Sequence, residues 1–185
     1  MPSDDERRLI FDAQEGSRGA FRLIVERYMK QAYDIAYGVV GDHDEAEDVA
    51  QESFVRVHRS LRSFRGDAGF GTWLYRIVMN VSLNRLRKRK MKEQREVRMQ
   101  TQYREQPGPD LLNVEQPDLR IHIERALHQL PTLQRAVVIL RHINGMSTRE
   151  VGAILGCSDG TVKTHLHRGL KKMRTRLGFL KVEGF

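Results

Sequence analysis

Apolar residues recur along this chain at the three- and four-residue spacing of helices. No segment alternates with the period of two that a half-buried strand requires. Phe21, Ile24, Val25, Tyr28, Ala32, Ile35, Ala36 and Val39 form one such stripe, closed by Gly38 and Gly41. Asp42 or Asp44 is placed to cap the next helix, which the pattern carries to Ser60 or Phe64. Residues 64–71 include Gly66, Gly69 and Gly71 and read as a loop, after which Thr72 caps a helix reaching about Arg89. In the rear half, residues 121–130 are amphipathic and stop at Pro131, which suits the start of a helix running to Asn144 and Gly145. Ser147, Thr148, Arg149 and Glu150 spell a capping box, with Ser at the N-cap and Glu three residues on. A short helix to Leu155, a turn at Gly156, Cys157 and Ser158, and a last helix over residues 159–177 complete an all-α expectation.

The breaks divide these helices into two small domains. Pro107, Gly108 and Pro109, then Pro117, cannot sit inside a helix. The expected division is a helical bundle over residues 1–92, a flexible linker over 93–118 whose first part frays from helix, and a second helical domain over 119–185. With 185 residues, 39% of them apolar, each core is modest. Charge follows the same division: net −3 over residues 1–84, +7 over 85–104, −4 over 105–118 and +8 over 119–185. This segregation suggests that the basic rear folds back on the acidic front. The overall +8 points to nucleic acid, with an anionic membrane surface as the rival. One cysteine excludes a disulfide framework and a cysteine-based zinc cluster. No stretch approaches the 18 apolar residues of a membrane span, and residues 1–14 lack the apolar run of a signal peptide. A soluble cytoplasmic protein is expected.

Residues 148–176 join a short helix, a glycine turn and a basic second helix, the helix-turn-helix pattern. Val162, Leu166, Leu170, Met173 and Leu177 fall within about 80° of one another and form the core stripe. Thr161, Thr164, Arg168, Lys171 and Lys172 lie roughly opposite, flanked by Lys163 and His167, and residues 161–181 contain no acid. Such a face suits the major groove, with Thr and Arg on base edges and Lys on phosphates. A solvated basic helix would share the amphipathicity, but not the capping box and turn. A membrane-surface helix would want an aromatic residue on the apolar side.

Two surfaces stand out in the front half. Between Gly41 and Val55 there are six acids and no Lys or Arg. Acids favour a helix N-terminus, but Glu52 and Val55 lie beyond the first turn. Asp48, Gln51, Glu52 and Val55 project away from the buried stripe of Ala46, Val49, Ala50, Val57 and Leu61, as a docking site for a basic protein would. On the following helix, Trp73, Arg76, Asn80, Asn84 and Arg87 line one edge. Ring stacking, amide hydrogen bonds and cations together suit single-stranded DNA. The plainer alternative is a half-buried Trp73 and incidental surface asparagines.

Residues 44–89 (DEAEDVAQESFVRVHRSLRSFRGDAGFGTWLYRIVMNVSLNRLRKR) resemble region 2 of the extracytoplasmic-function (ECF) sigma factors of bacteria. Residues 126–174 (ALHQLPTLQRAVVILRHINGMSTREVGAILGCSDGTVKTHLHRGLKKMR) resemble their region 4. The resemblance implies that Asp48, Gln51, Glu52 and Phe54 dock on the clamp coiled coil of the largest subunit of core RNA polymerase. It implies that the loop with Phe64, Arg65, Gly66, Asp67 and Phe70 captures a flipped base of the −10 element, and that Asn80 and Asn84 hold the melted strand. Lys163, Thr164, His167 and Arg168 match −35 contacts. An anti-sigma factor is implied as a further partner, able to hold the protein at a membrane. Phe70-Gly71 departs from relatives that carry a bulkier or charged residue after the Phe, and His165 and His167 stand where Arg and aromatics are frequent.

Nothing in the sequence suggests an enzyme. There is no P-loop, zinc spacing or nucleophile elbow. His165 and His167, two residues apart on a helix, diverge and read as histidines facing DNA rather than metal ligands. No cofactor and no metal is expected, and Cys157 reads as a small packing residue of the turn. A transcriptional regulator of another kind remains the rival, but leaves residues 44–89 without a purpose.

Overall fold

The computed structural model describes residues 4–100 and 119–178, and every regular element among them is helical. In chain order these are α1 (Asp4–Gln14), α2 (Arg18–Val40), α3 (His43–Ser60), a 3-10 turn (Leu61–Ser63), α4 (Phe70–Gln100), α5 (Leu119–His128), α6 (Thr132–Val138) continued by a π-helical turn (Ile139–Ile143), α7 (Thr148–Leu155) and α8 (Asp159–Arg176).

The front module is built around α2. Its Ile24, Ala32, Ile35, Ala36 and Val39 are buried against Ala46, Val49 and Val57 of α3 and Leu74, Val78 and Met79 of α4. Alanines at 32, 36 and 46 let the helix backbones approach closely. Gly41 ends α2 in the left-handed region (φ 78°), and its N–H donates to the Tyr37 carbonyl at 2.8 Å. Asp42 then caps α3, its Oδ1 accepting from the Glu45 N–H at 2.8 Å.

Three features of this module depart from the sequence reading. Helix α1 has no counterpart there, because its few apolar residues sit among Asp4, Asp5, Glu6 and Asp12. Helix α4 starts at Phe70, two residues before the expected Thr72 cap; the Gly69 carbonyl accepts an early bond, from the Trp73 N–H at 3.1 Å. It also continues to Gln100, well past Arg89. Residues 88–95 are almost all strong helix formers, and Arg89 pairs with Glu93 at 3.9 Å. Residues 93–100, read as the frayed start of the linker, are therefore helical, and the remaining linker residues lie outside the described ones.

The rear module follows its sequence signals closely. The capping box is complete: Ser147 Oγ accepts from the Glu150 N–H at 3.2 Å, and Glu150 Oε2 accepts from the Ser147 N–H at 2.8 Å. These bonds hold the Glu150 carboxyl below its ordinary pKa. Gly156 closes α7 with φ 67°, and Ser158 caps α8. Helix α8 lies on α7 at Val162, beside Gly152, and on α6 at Gly169, where a Cβ would come within 2.9 Å of Val138 Cγ2.

The two modules touch. Ile139 packs on Gly38 of α2, where an added Cβ would lie 2.9 Å from Ile139 Cδ1. Arg76 of α4 donates from Nε to the Ala153 carbonyl at 2.9 Å, and a second guanidinium nitrogen donates to the same oxygen. That carbonyl is one of the orphan acceptors at the end of α7. Tyr37 Oη donates to Glu124 Oε2 at 3.4 Å. The rear thus folds back on the front, and apolar packing and these hydrogen bonds are part of the contact.

Candidate nucleic-acid interface

Helix α8 presents Thr161, Lys163, Thr164, His167, Arg168, Lys171 and Lys172 to solvent, opposite buried Val162. Two hydroxyls are already engaged locally: Thr164 Oγ1 donates to the Gly160 carbonyl at 2.9 Å, and Thr161 Oγ1 lies 3.0 Å from Ser158 Oγ. His165 is half-buried, with its Nδ1 shut off from solvent, so it belongs to the inner side of the helix and not to the basic face. No group of His, Cys, Asp and Glu among the described residues is arranged to hold a metal ion.

On α4, Asn80, Asn84 and Arg87 are exposed along one edge, with Arg87 Nη1 donating to Asn84 Oδ1 at 3.2 Å. Trp73 is half-buried, its ring centroid 5.1 Å from Phe64 and 5.7 Å from Phe70. Arg76 lies on the same edge but is held by α7. Phe70 differs from expectation: it is 1% exposed, starts α4 and packs 5.3 Å from Tyr28. It forms the floor beneath the loop, because the helix begins there and its ring completes an aromatic cluster. Burial and the Glu6 carboxylate raise the Tyr28 hydroxyl well above its usual pKa, so it stays neutral.

The loop itself leaves Arg65, Gly66 and Asp67 exposed, with Gly66 in the left-handed region at φ 77°. A cavity flanks it on each side. One of about 500 Å³ lies toward Trp73 and Arg76, and another of about 610 Å³ lies toward α1. The residues of α1 that line the second cavity, Arg7, Ile10, Phe11 and Gln14, escaped the sequence reading, since nothing in their spacing marks them.

On α3, Asp48, Gln51, Glu52 and Val55 are exposed as expected. Phe54 is not: it is 5% exposed and joins the front core. Its position on α3 points inward, so it supports the acidic face from beneath and lines a shallow groove with Phe21, Met29 and Val55. The carboxylates already have cations. Asp48 Oδ2 lies 2.8 Å from Arg85 Nη2, Glu52 Oε1 2.6 Å from Arg56 Nη2, and Glu45 Oε2 3.1 Å from Arg89 Nη1. Two of these arginines come from α4, out of reach of a local reading. Exposed pairs contribute about 0–1 kcal/mol, so a competing basic surface displaces them readily.

A helical chain of two touching modules, one carrying an exposed basic helix-turn-helix and the other an aromatic–amide edge beside an acidic helix, is built as a bipartite nucleic-acid-binding protein. Comparison with known proteins gives the family. Residues 24–91 match the model of sigma-70 region 2, and residues 120–173 that of sigma-70 region 4. The ECF RNA polymerase sigma factor SigW of Bacillus subtilis is 34% identical over 179 residues, covering 92% of this chain and 96% of that protein. The RNA polymerase sigma-H factor of Pseudomonas aeruginosa is 33% identical over 177 residues, 91% of each chain. Among solved structures, CnrH in complex with the cytosolic domain of CnrY matches with a TM-score of 0.69 at 26% identity, over 95% of this chain and 98% of that one. The sigma factor RpoE in complex with the anti-sigma factor NepR, from Bartonella quintana, matches with 0.67 at 26% identity, over 89% and 98%.

The chain belongs to the ECF sigma factors of the sigma-70 family. It is an alternative sigma factor, a regulatory subunit that directs RNA polymerase to its promoters. The rival reading as an unrelated helix-turn-helix regulator is not favoured, because the region 2 match gives the front module its purpose.

Proposed function

We propose a division of labour between the modules, with residues 1–92 as region 2, 93–118 as linker and 119–185 as region 4. The front module docks on the polymerase clamp through Asp48, Gln51, Glu52 and Val55. Its loop and the edge of Trp73, Arg76, Asn80, Asn84 and Arg87 bind the melted −10 strand. Helix α8 reads the −35 element in the major groove with Thr161, Lys163, Thr164, His167 and Arg168, while Lys171 and Lys172 hold phosphates. Capture of an extruded base offsets the few kcal/mol of unstacking it, which ties melting to sequence. The polymerase supplies the phosphoryl chemistry, so the chain itself acts by binding and is no enzyme.

The observation that carries this reading is that two different DNA-type surfaces, one basic and groove-shaped, the other aromatic and amide-lined, sit on separate modules of one chain. Two solved relatives are complexes, one with an anti-sigma factor and one with the cytosolic domain of CnrY, and we propose a partner of this kind here as well. No described helix is long and apolar enough to cross a membrane. The place of action is the cytoplasm, where such a partner can tether the chain to a membrane. Run-off transcription with purified core polymerase tests the whole reading. Added chain is expected to start transcripts at discrete promoters, and unselective initiation with and without it would refute the assignment.

A further inference from the structure

The loop over residues 64–69 closes on one side against α1, and Arg7, Ile10, Phe11 and Gln14 of that helix line the cavity there. Gln14 fixes the root of the loop. Its amide nitrogen donates to the Leu61 carbonyl at 3.0 Å and to the Phe64 carbonyl at 2.9 Å, across 47 and 50 residues of chain. Phe11 stands in the cavity wall with 60% of its surface exposed, although Ile10 and Ala13 of the same helix are buried. Arg7 lies four residues earlier on the same helix face, and its guanidinium is largely solvated, with only a loose 3.7 Å contact to Asp4. Phe64 and Phe70 line the opposite side.

An exposed ring, a nearby free-swinging cation and a strip of loop backbone are the groups that hold an unpaired nucleobase and its phosphate. Among the described residues, those that line this cavity all belong to the front module, so the packing of α7 against α4 leaves it open. The cavity on the other side of the loop includes Arg76, which α7 engages.

We propose that α1 forms a wall of the base-capture pocket: Phe11 stacks on an unpaired base of the melted promoter strand, Arg7 holds its phosphate, and Gln14 is a positioning residue that keeps the loop open. This rests on the reading of the front module as the −10 binder and adds to it residues that hold the captured base and set the shape of its pocket.

The test uses holoenzyme reconstituted from the full chain and core polymerase. The probe is a fork-junction DNA with duplex −35 and single-stranded −10 sequence, carrying each of the four bases or 2-aminopurine at the captured position. Phe11→Ala is expected to weaken fork binding about five- to a hundredfold, with core affinity and −35 duplex binding unchanged. Phe11→Trp should restore it. Gln14→Leu keeps the side-chain bulk without the two donors and should flatten discrimination among the four bases, with a smaller 2-aminopurine fluorescence rise. Phe11 is at the surface, so its variant carries the test even where Gln14→Leu fails to fold. Wild-type fork affinity and base preference in folded Phe11→Ala would overturn the proposal. So would a loss of core affinity in place of fork affinity, which would make this a protein contact. Absence of base discrimination in the wild-type holoenzyme would instead remove the underlying −10 reading, and the proposal with it.

Discussion

Single residues at close approaches carry much of the rear module. Gly152 sits where a Cβ would meet the Cys157 carbonyl at 2.8 Å, a backbone atom that cannot swing aside. Gly152→Ala is therefore expected to destabilise the chain by about 1–3 kcal/mol, read as a lower thermal midpoint, with loss of −35 binding at the higher temperatures. Arg168 is different: it is exposed on the basic face of α8. Arg168→Ala should leave stability unchanged and cost about 1–3 kcal/mol on a −35 duplex, measured against mutated duplexes. An equal loss on every sequence would make it a phosphate contact. The basic face of α8 was legible from periodicity alone, because one helix decides it. The need for glycine at 152 was not, since the clash comes from a turn five residues on.

Among the helices, those whose boundaries are set locally were readable: Gly41 and Asp42 between α2 and α3, and the Ser147–Glu150 box before α7. Helix α1 and the early start of α4 were not, because tertiary contacts decide them. Ile10 and Ala13 of α1 find their partners in the front core, and the first turn of α4 rests on the burial of Phe70. Helix α3 shows the same limit in its charges. The six acids between Gly41 and Val55 have no Lys or Arg among them in sequence, yet Arg85 and Arg89 reach two of them from α4. Asp48→Arg with Glu52→Arg breaks two exposed pairs only, so the fold should survive with near-native circular dichroism. Core polymerase binding is expected to fall by more than tenfold, since each charge is reversed rather than removed. Unchanged affinity in a pull-down or anisotropy titration would refute docking through this face.

At the scale of the whole molecule, the contact between modules was foreseeable in outline from the charge map but not residue by residue. Gly38 and Ile139 are a hundred residues apart, and no local pattern pairs them. Gly38→Ala pushes a methyl group into Ile139 and is expected to expand the free protein, seen as a larger radius of gyration in solution scattering. The same contact carries a titratable group. His128 lies against Gly41, with Nδ1 2.9 Å from Arg135 Nη1, and Arg89 and Glu124 also face it. Burial, then Arg135, lower its pKa below the ordinary 6.5, Arg89 acts in the same sense, and Glu124 opposes them. A base depressed in the folded state binds protons more readily once released. Its stabilising share is therefore full above pH 6.5 and declines as pH falls from there through the folded value. Thermal midpoints of wild type should drop more steeply on mild acidification than those of His128→Gln. Identical slopes would show that His128 is not the group responsible.

The bond from Arg76 to the Ala153 carbonyl sets up a competition. A guanidinium occupied in satisfying the end of α7 is withheld from a nucleotide, and a strand that wins it must first work the modules apart. Under the proposed reading, apparent promoter affinity is the intrinsic affinity scaled by the fraction of molecules already sprung open. Free protein then starts background transcripts less often by that same fraction, and a core enzyme that holds the chain in its opened form removes the reduction and arms the response.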